Sequence, residues 1–309
     1  MDIADRLAPE LRHLASARTD LSPETLTTLR ESLNQRRRDA ARAVDTSGVI
    51  VSDGHVAAES GRSVSVRIYR GSPSAGPAVV YCHGGAFVLG NLDIDHVQCV
   101  ELARRARCTV VSVDYRLAPE HPCPAAVDDV TAVLDWVVAG AAELAIDTTR
   151  VAVAGNSAGG ALAAGLAQRS ADGLAAPIVF QLLHQPVLDD RPTPSKAEFT
   201  TTPGIDGPAT DLMWRYYLGE VEPGPDSVPA RRREFAGAAS ALITCSELDP
   251  LRDEAIAYAG RLTSAGVAAE LHIYPGTCHG FDSFLPDWDL SRQLFAQQGE
   301  ALRRAFGSY

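Results

Sequence analysis

From about residue 64 to residue 275 the sequence alternates short β-branched runs with longer Ala- and Leu-rich segments. Seven runs have the length and composition of strands: 64–70, 78–83, 108–115, 150–155, 177–183, 240–247 and 269–275. Segments between them have helical spacing and length, among them 96–107, 125–144 and 253–266. This alternation predicts the α/β class, with a mostly parallel sheet covered by helices on both faces.

Composition excludes several classes of partner. The 309-residue chain is 46% hydrophobic, which is ample for a core and leaves one large domain or two small ones open. Its net charge of −11 argues against nucleic acid or an anionic membrane as the main partner.

No stretch approaches the roughly 20 apolar residues of a spanning helix, and the charged N-terminus lacks a signal-peptide run. We therefore expect no stable membrane anchor. Six dispersed cysteines favour a cytoplasmic protein with reduced thiols.

Two regions lie outside the alternation. Residues 1–45 are predicted to be helical, with Ser22 as N-cap and Pro23 at the first helical position. Three leucines share one face of that helix: Leu26, Leu29 and Leu33. Residues 190–230 are rich in proline and contain the aromatic segment DLMWRYYL (211–218). We interpret residues 190–230 as a lid or cap, because the apolar residues of this segment need something to cover; the alternative is an insertion without a function.

The most informative segment is RVAVAGNSAGGALAAGLAQ (150–168), where a strand is followed by a tight turn and an Ala-rich helix. The turn Gly155-Asn156-Ser157-Ala158-Gly159 is a G-x-S-x-G sequence in the strand–turn–helix context that makes this motif meaningful. A nucleotide-binding turn is the alternative, but its spacing requires glycine where Ser157 stands. A phosphate-binding Walker loop would need Gly-Lys-Ser/Thr, which is missing here. Ser157 is therefore the candidate nucleophile.

A serine nucleophile needs a histidine base that is held by a carboxylate, here expected in the order Ser, acid, His. The segment ALITCSELDPLRDEA places Asp249 in the loop after a strand. The alternatives are Glu247, which still belongs to the strand, and Asp253, which suits the first turn of the next helix. Asp249 is the predicted acid.

The base is expected in the loop after the last strand. The segment AELHIYPGTCHGFDSF places His279 there, after a Pro-Gly turn. Two other histidines are less suitable: His272 lies inside a strand, and His184 follows a strand that should be central. Both are more easily interpreted as packing or hydrogen-bonding residues. His279 is the predicted base.

Acyl transfer also requires N–H donors for the oxyanion. The segment AVVYCHGGAFVLGN leaves a strand into small residues after His83, which let the main chain approach a substrate. The predicted donors are the amides of Gly84, Gly85, Ala86 and Ala158. The side chain of His83 is expected to be structural.

Together, these motifs resemble those of the hormone-sensitive-lipase-like family of α/β-hydrolases, the bacterial carboxylesterases with an N-terminal cap. Four motifs match in order over residues 78–282: HGGAFVLG, DYRLAPEHPCPAA, GNSAGG and DPLRDE…HGF. The resemblance implies an α/β-hydrolase fold over residues 1–309 as one domain, with the cap formed by about 1–45 and 190–230. It also implies that Ser157, Asp249 and His279 form a catalytic triad.

The resemblance also assigns scaffold roles within DYRLAPE, where four residues would brace the loop over the active site: Asp114, Tyr115, Arg116 and Glu120. Three positions depart from the family pattern. Ala86 replaces a frequent third glycine, Asn156 replaces the frequent aspartate beside the nucleophile, and Cys123 replaces a common aromatic residue. The effect of Asn156 on His279 is left open, and no departure removes a catalytic group.

The expected function is hydrolysis of small-molecule esters with short or medium acyl chains through an acyl-enzyme, without a metal or organic cofactor. An amidase, a deacetylase or a thioesterase would use the same triad. A ligand receptor on this fold is disfavoured because His279 is present. A homodimer remains open. Four aromatic residues are candidates for the substrate pocket, with ordinary cap packing as the alternative: Phe87, Trp214, Tyr216 and Tyr217.

The tripeptide Cys-His-Gly occurs at residues 82–84 and again at 278–280, which raises the alternative of a metal site shared by the two pairs. His279 is needed as a base, however, and no further ligand has suitable spacing. We interpret Cys82 and Cys278 as small buried residues.

Overall fold

The computed structural model describes residues 3–58, 61–72 and 74–307. The extreme ends of the predicted domain 1–309, including residues 1–2 of the predicted cap, lie outside these ranges. Within them, eight strands form one sheet: β1 (Ile50–Ala57), β2 (Ser63–Arg70), β3 (Gly76–Cys82), β4 (Thr109–Asp114), β5 (Ile146–Asn156), β6 (Phe180–His184), β7 (Ser240–Leu248) and β8 (Ala269–Cys278). Their order is β1-β2-β4-β3-β5-β6-β7-β8.

The sheet is mostly parallel, as predicted from the alternation. Strands β3 to β8 pair in parallel, whereas β1 pairs antiparallel with β2, and β2 pairs antiparallel with β4. The carboxyl ends of β3, β5, β7 and β8 therefore lie at the same edge of the sheet.

The helices of the described residues are α1 (Ile3–Arg6), α2 (Pro23–Arg42), α3 (His96–Ala106), α4 (Ala125–Ala139), α5 (Ala141–Leu144), α6 (Ala158–Ala171), α7 (Pro194–Glu198), α8 (Gly207–Leu218), α9 (Arg252–Ser264), α10 (Phe281–Phe284) and α11 (Asp289–Ala305). Short 3-10 helices span Pro9–Leu14 and Pro229–Arg231. None of the helices described is long and apolar enough to cross a bilayer.

Successive strand residues supply two separate cores, because neighbouring side chains in a strand point to opposite faces of the sheet. Val80 packs in the cluster that contains residues of α4, α6 and α9. Its neighbour Val79 packs in the cluster that contains residues of α3 and α11. The sheet is thus buried on both faces, which explains the near-continuous apolar character of its central strands.

Strand β1 was not predicted from the sequence. It lies at the edge of the sheet, pairs with β2, and is largely exposed, with Ile50 at 68%. Its sequence, IVSDGHVA, is therefore too polar to stand out as a strand. The predicted helix 125–144 is also divided, since α4 ends before Gly140 and α5 begins after it.

Helix α2 begins as the sequence predicts, with Ser22 in the N-cap position and Pro23 as the first helical residue. The Ser22 hydroxyl lies 3.0 Å from Thr25 Oγ1 and makes no hydrogen bond to a helix amide. Of the three predicted leucines, Leu26 is buried in the core. The other two, Leu29 and Leu33, line a cavity at the carboxyl edge of the sheet.

Candidate active site

Ser157 occupies a sharp turn between β5 and α6. Its backbone has φ 56° and ψ −119°, a conformation that costs a non-glycine residue about 1–3 kcal/mol. The flanking glycines make this turn possible. A Cβ on Gly155 would lie 2.1 Å from the carbonyl oxygen of Gly159, and a Cβ on Gly159 would lie 1.9 Å from that of Cys82. The main chain is therefore packed too closely for any side chain at either position.

The structure brings the three predicted site residues together in one hydrogen-bonded chain. His279 Nδ1 lies 2.8 Å from Asp249 Oδ2, and His279 Nε2 lies 3.0 Å from Ser157 Oγ. Their exposed fractions are 4% for Ser157, 0% for Asp249 and 9% for His279. Because Nδ1 faces a carboxylate, it carries the proton, which leaves Nε2 free to accept the serine proton.

The position of these residues follows from the parallel sheet. Ser157 is the first residue after β5, Asp249 the first after β7 and His279 the first after β8. Residues that directly follow parallel strands lie at one edge of a sheet. Side chains about 30 and 120 residues apart in the chain therefore converge.

Burial and neighbouring charges have opposing effects on the pKa of His279. Burial lowers its pKa, but the charge of Asp249 and the hydrogen bond to it, with contributions from Asp282 and Asp95, outweigh burial. The pKa of His279 is consequently raised above its ordinary value of 6.5. The imidazole is thus made a stronger base by a buried carboxylate.

The alternative acids have other partners. Glu247 Oε2 accepts from the amide of Gly276 at 2.8 Å, and Asp253 Oδ2 accepts from the amide of Ser195 at 2.8 Å. Glu247 thus binds to β8 and Asp253 to α7, whereas His279 makes its hydrogen bond to Asp249.

The alternative histidines are also engaged elsewhere. His184 lies between Thr244 Oγ1 at 2.8 Å and Asp282 Oδ1 at 3.1 Å. His272 Nε2 lies 2.7 Å from Glu270 Oε1, well inside β8. Neither imidazole forms a hydrogen bond to Ser157 Oγ. His184 contacts Ser157 through the main chain instead, where its carbonyl oxygen accepts from the amide of Ser157 at 2.9 Å.

The loop after β3 differs in one respect from the predicted oxyanion hole. The amide of Gly84 donates to Asp95 Oδ2 at 2.8 Å, so this donor is occupied. The amides of Gly85 and Ala86 have no acceptor among the described residues. Ala158 is the first residue of α6, where helix amides lack an intrahelical partner. Free donors therefore remain at three of the four predicted positions.

A cavity of about 480 Å³ opens above Ser157 and His279. Its wall comes from the loop after β3, from α2 and the residues before it, from Gly204 and Ile205, and from Gly280, Ser283 and Phe284. Its volume falls in the range of small-molecule sites.

The four aromatic residues predicted for the pocket are not among those that line this cavity. Three of them are packed together in the core: Phe87 stacks on Tyr217 with ring centroids 3.9 Å apart, and Trp214 lies against both. Tyr216 instead donates its hydroxyl to the carbonyl oxygen of Leu21 at 3.1 Å. The structure thus favours the packing alternative for these residues, because α8 turns its aromatic face toward the core.

Comparison with known proteins identifies the family. A family model described as alpha/beta hydrolase fold matches residues 79–283. The chain belongs to this family. Esterase LipI of Mycobacterium tuberculosis is 40% identical over 259 residues, which cover 81% of each chain. Carboxylesterase NlhH of the same species is 42% identical over 235 residues, which cover 74% of each chain.

Solved structures agree with this family. The crystal structure of esterase LipW from Mycobacterium marinum is 60% identical, with a TM-score of 0.96 and coverage of 98% of this chain and 97% of that one. A bacterial heroin esterase is 36% identical, with a TM-score of 0.90 and coverage of 98% of each chain. The predictions of an α/β-hydrolase fold, of this esterase family and of an ester-hydrolysing enzyme are confirmed.

The segment DYRLAPE braces the loop after β3 in this α/β-hydrolase. Tyr115 donates its hydroxyl to the carbonyl oxygen of His83 at 2.8 Å, and its ring stacks on the imidazole. Arg116 forms an ion pair with the buried Asp129 at 2.8 Å. The imidazole of His83 is itself buried, which lowers its pKa, and its Nδ1 lies 2.7 Å from the carbonyl oxygen of Gly84. These contacts make His83 a neutral part of the scaffold.

Glu120 links the same segment to α2. Its two carboxylate oxygens lie 2.6 and 2.9 Å from the guanidinium of Arg30. Arg30 also donates to the carbonyl oxygens of Val88 and Ala118. The helix that lines the cavity is thereby held to both loops beneath it. Asp114 is largely buried next to His83, and burial raises the pKa of its carboxyl group.

All six cysteines are free and buried. Burial raises the pKa of Cys82 well above its ordinary range and that of Cys278 to about 12, so both remain neutral thiols. Within the described ranges, no group of three or more His, Cys, Asp or Glu side chains is arranged to hold a metal ion.

Asp95 is a residue of this site that sequence reasoning did not single out. It is buried and accepts three hydrogen bonds: from the amide of Gly84, from the hydroxyl of Tyr81 at 3.1 Å and from Asn156 Nδ2 at 3.2 Å. Asn156, which departs from the family pattern, therefore lies against a carboxylate supplied by another segment. Asp95 occupies the N-cap position of α3, yet it makes no capping hydrogen bond there.

We expect Asp95→Ala to destabilise the fold by about 3 kcal/mol and to lower kcat, because it leaves buried donors unpaired beside the free amides of Gly85 and Ala86. Urea unfolding and ester kinetics would measure the two effects. Tyr81→Phe is the matched control, since it removes one donor of the same carboxylate and should cost only about 1 kcal/mol. Equal stability of Asp95→Ala and the native chain would show that these contacts do not hold the loop.

Proposed function

We propose that this α/β-hydrolase cleaves small carboxylic esters with short or medium acyl chains through an acyl-enzyme on Ser157. The observation that carries the proposal is the hydrogen-bonded chain from Asp249 through His279 to Ser157 at the floor of the cavity. A serine hydroxyl is a weak nucleophile, and a histidine made more basic by a carboxylate is what activates it.

Acylation begins when Ser157 Oγ attacks the ester carbonyl carbon and its proton passes to His279 Nε2. Negative charge develops on the carbonyl oxygen, where the amides of Gly85, Ala86 and Ala158 donate hydrogen bonds to it. The tetrahedral intermediate collapses with cleavage of the bond to the alkoxy oxygen, which takes the proton from Nε2 and leaves as the alcohol.

Deacylation repeats these steps with water. His279 Nε2 removes a proton from a water molecule, whose oxygen attacks the acyl carbon. Collapse of the second intermediate breaks the bond to Ser157 Oγ, which recovers its proton from His279. The carboxylic acid leaves, and Asp249 stabilises the imidazolium in both halves of the reaction.

Residues 3–45 and 190–230 act as a helical cap in this proposal. Support comes from the cavity wall, which includes Leu29 and Leu33 of α2. Three side-chain hydrogen bonds of the described residues join the regions. Thr19 Oγ1 donates to the carbonyl oxygen of Gly204 at 2.5 Å, Tyr216 donates to that of Leu21, and Arg6 donates to Glu198 Oε1 at 2.6 Å. A cap of this kind limits the length of the acyl chain and excludes water from the reacting groups.

The test is a series of p-nitrophenyl esters from acetate to palmitate, with the matching anilide and a thioester. We expect the highest kcat/KM for chains of two to eight carbons and at least a tenfold lower value for palmitate, because the cavity holds about 480 Å³. A preference for palmitate or for the anilide would contradict the proposed substrate class.

A further inference from the structure

Three arginines line the cavity above Ser157 without a carboxylate partner: Arg18, Arg36 and Arg37. Arg18 donates to carbonyl oxygens of its own segment, and Arg37 makes one long hydrogen bond of 3.4 Å to the carbonyl oxygen of Ser283. Among the described residues, no ion pair involves any of the three arginines. Three unneutralised positive charges thus face one cavity.

Many other arginines of this chain, whose net charge is −11, do form ion pairs with carboxylates. Arg67 pairs with Asp93 at 2.7 Å, and Arg116 pairs with Asp129 at 2.8 Å. Asp93 and Asp282 share a second, smaller cavity with Arg37, but their carboxylates are paired elsewhere, with Arg67 and His184.

The one acidic residue in the described cavity wall, Asp95, forms no ion pair with the three arginines. Asp95 is buried, and its carboxylate already accepts hydrogen bonds from Gly84, Tyr81 and Asn156. The described wall therefore carries three guanidinium charges against one carboxylate, which leaves it net positive, and a concave wall strengthens such a field.

The arginines also have a defined position along α2. Leu29, Leu33, Arg36, Arg37 and Ala40 all line the cavity, and their spacing places them on one face of the helix. With a rise of about 1.5 Å per residue, Arg37 lies about 12 Å along the axis from Leu29. The cavity wall thus changes from apolar to cationic along this face.

We propose that the cavity selects esters that carry a carboxylate separated from the scissile ester by an apolar chain. The inference rests on the proposed ester hydrolysis. Leu29 and Leu33 contact the chain, and the guanidinium groups of Arg36, Arg37 and Arg18 bind the distal carboxylate, whose two oxygens match their paired N–H donors.

The test compares matched substrates that differ in one charge. On the acyl side these are the p-nitrophenyl half-ester of suberic acid and the same compound with its free carboxylate methylated. On the alcohol side they are the butyrate esters of 6-hydroxyhexanoate and of its methyl ester. In at least one pair, we expect the anionic ester to have about a tenfold higher kcat/KM, and about 0.5 M NaCl to reduce this ratio.

The triple variant Arg18→Gln/Arg36→Gln/Arg37→Gln should lower the ratio of anionic to neutral kcat/KM by about tenfold. Arg38→Gln is the matched control, because Arg38 is exposed like Arg36 and lies on the same helix but does not line the cavity. The control should keep the native ratio.

Ratios at or below one in both substrate pairs, or a triple variant within twofold of the native ratio, would overturn the inference while leaving the proposed function intact. Failure of the proposed function has a different signature: none of the four esters would be hydrolysed, or Ser157→Ala would hydrolyse them as well as the native chain.

Discussion

Replacing Ser157 with alanine should lower kcat for p-nitrophenyl butyrate by roughly 10⁵- to 10⁶-fold, because no other group can form the acyl-enzyme. The fold should persist. The change removes one hydroxyl and its hydrogen bond to His279, at a cost of about 1 kcal/mol, and leaves the packed glycines of the turn in place. Kinetics and thermal unfolding on the same preparation would measure both results.

Ser240→Ala is the control for this substitution. Ser240 begins β7, at the end of the strand remote from Asp249, and its hydroxyl makes one long hydrogen bond of 3.4 Å. This variant should keep native kinetics. Activity of Ser157→Ala within tenfold of the native value, in a folded protein, would remove Ser157 from the mechanism.

Asp249→Asn should lower kcat by about 10⁴-fold with little loss of stability. The amide can still accept from Leu251, whose N–H lies 2.9 Å from Asp249 Oδ1, but it no longer holds His279 in the tautomer that leaves Nε2 unprotonated. Single-turnover kinetics and urea unfolding are the measurements.

The same variant should change the pH profile. In the native chain the pKa of His279 is raised, so kcat/KM should rise with pH and reach half its maximum above pH 6.5. Without the charge of Asp249 the effect of burial prevails, and the half-maximal pH of the residual activity should fall. Asp253→Asn removes a nearby charge that does not contact His279, and it should leave the midpoint in place. An unchanged midpoint in Asp249→Asn would contradict the assigned acid.

The local motifs of this chain can be predicted from the sequence because each depends on a few neighbouring residues. Ser157 was identified by the strand, the turn and the helix around it. Asp249 and His279 were identified by their place directly after strands, and the parallel order of those strands brings them together. In a parallel sheet, a position directly after a strand is therefore enough to predict that a residue lies at the edge where the site forms.

Features that depend on tertiary contacts were missed. The aromatic face of α8 was equally suited to a pocket or to a core, and only the packing of Trp214 and Tyr217 against Phe87 decides between them. Asp95 precedes a predicted helix, where an aspartate normally caps the helix amides. Its carboxylate accepts from the amide of Gly84 instead, because of the path that the loop takes between the two residues. Sequence alone does not specify that path.

The most direct test of the acyl-enzyme mechanism is covalent labelling with a fluorophosphonate, which forms a bond to an activated serine oxygen with loss of fluoride. Trypsin releases residues 151–169 as one peptide, and Ser157 is its only serine. We predict that mass spectrometry will find the phosphonyl group on this peptide in the native chain, and no adduct in Ser157→Ala. Labelling of another peptide, or an unlabelled and fully active native chain, would contradict the assignment of Ser157 as the nucleophile.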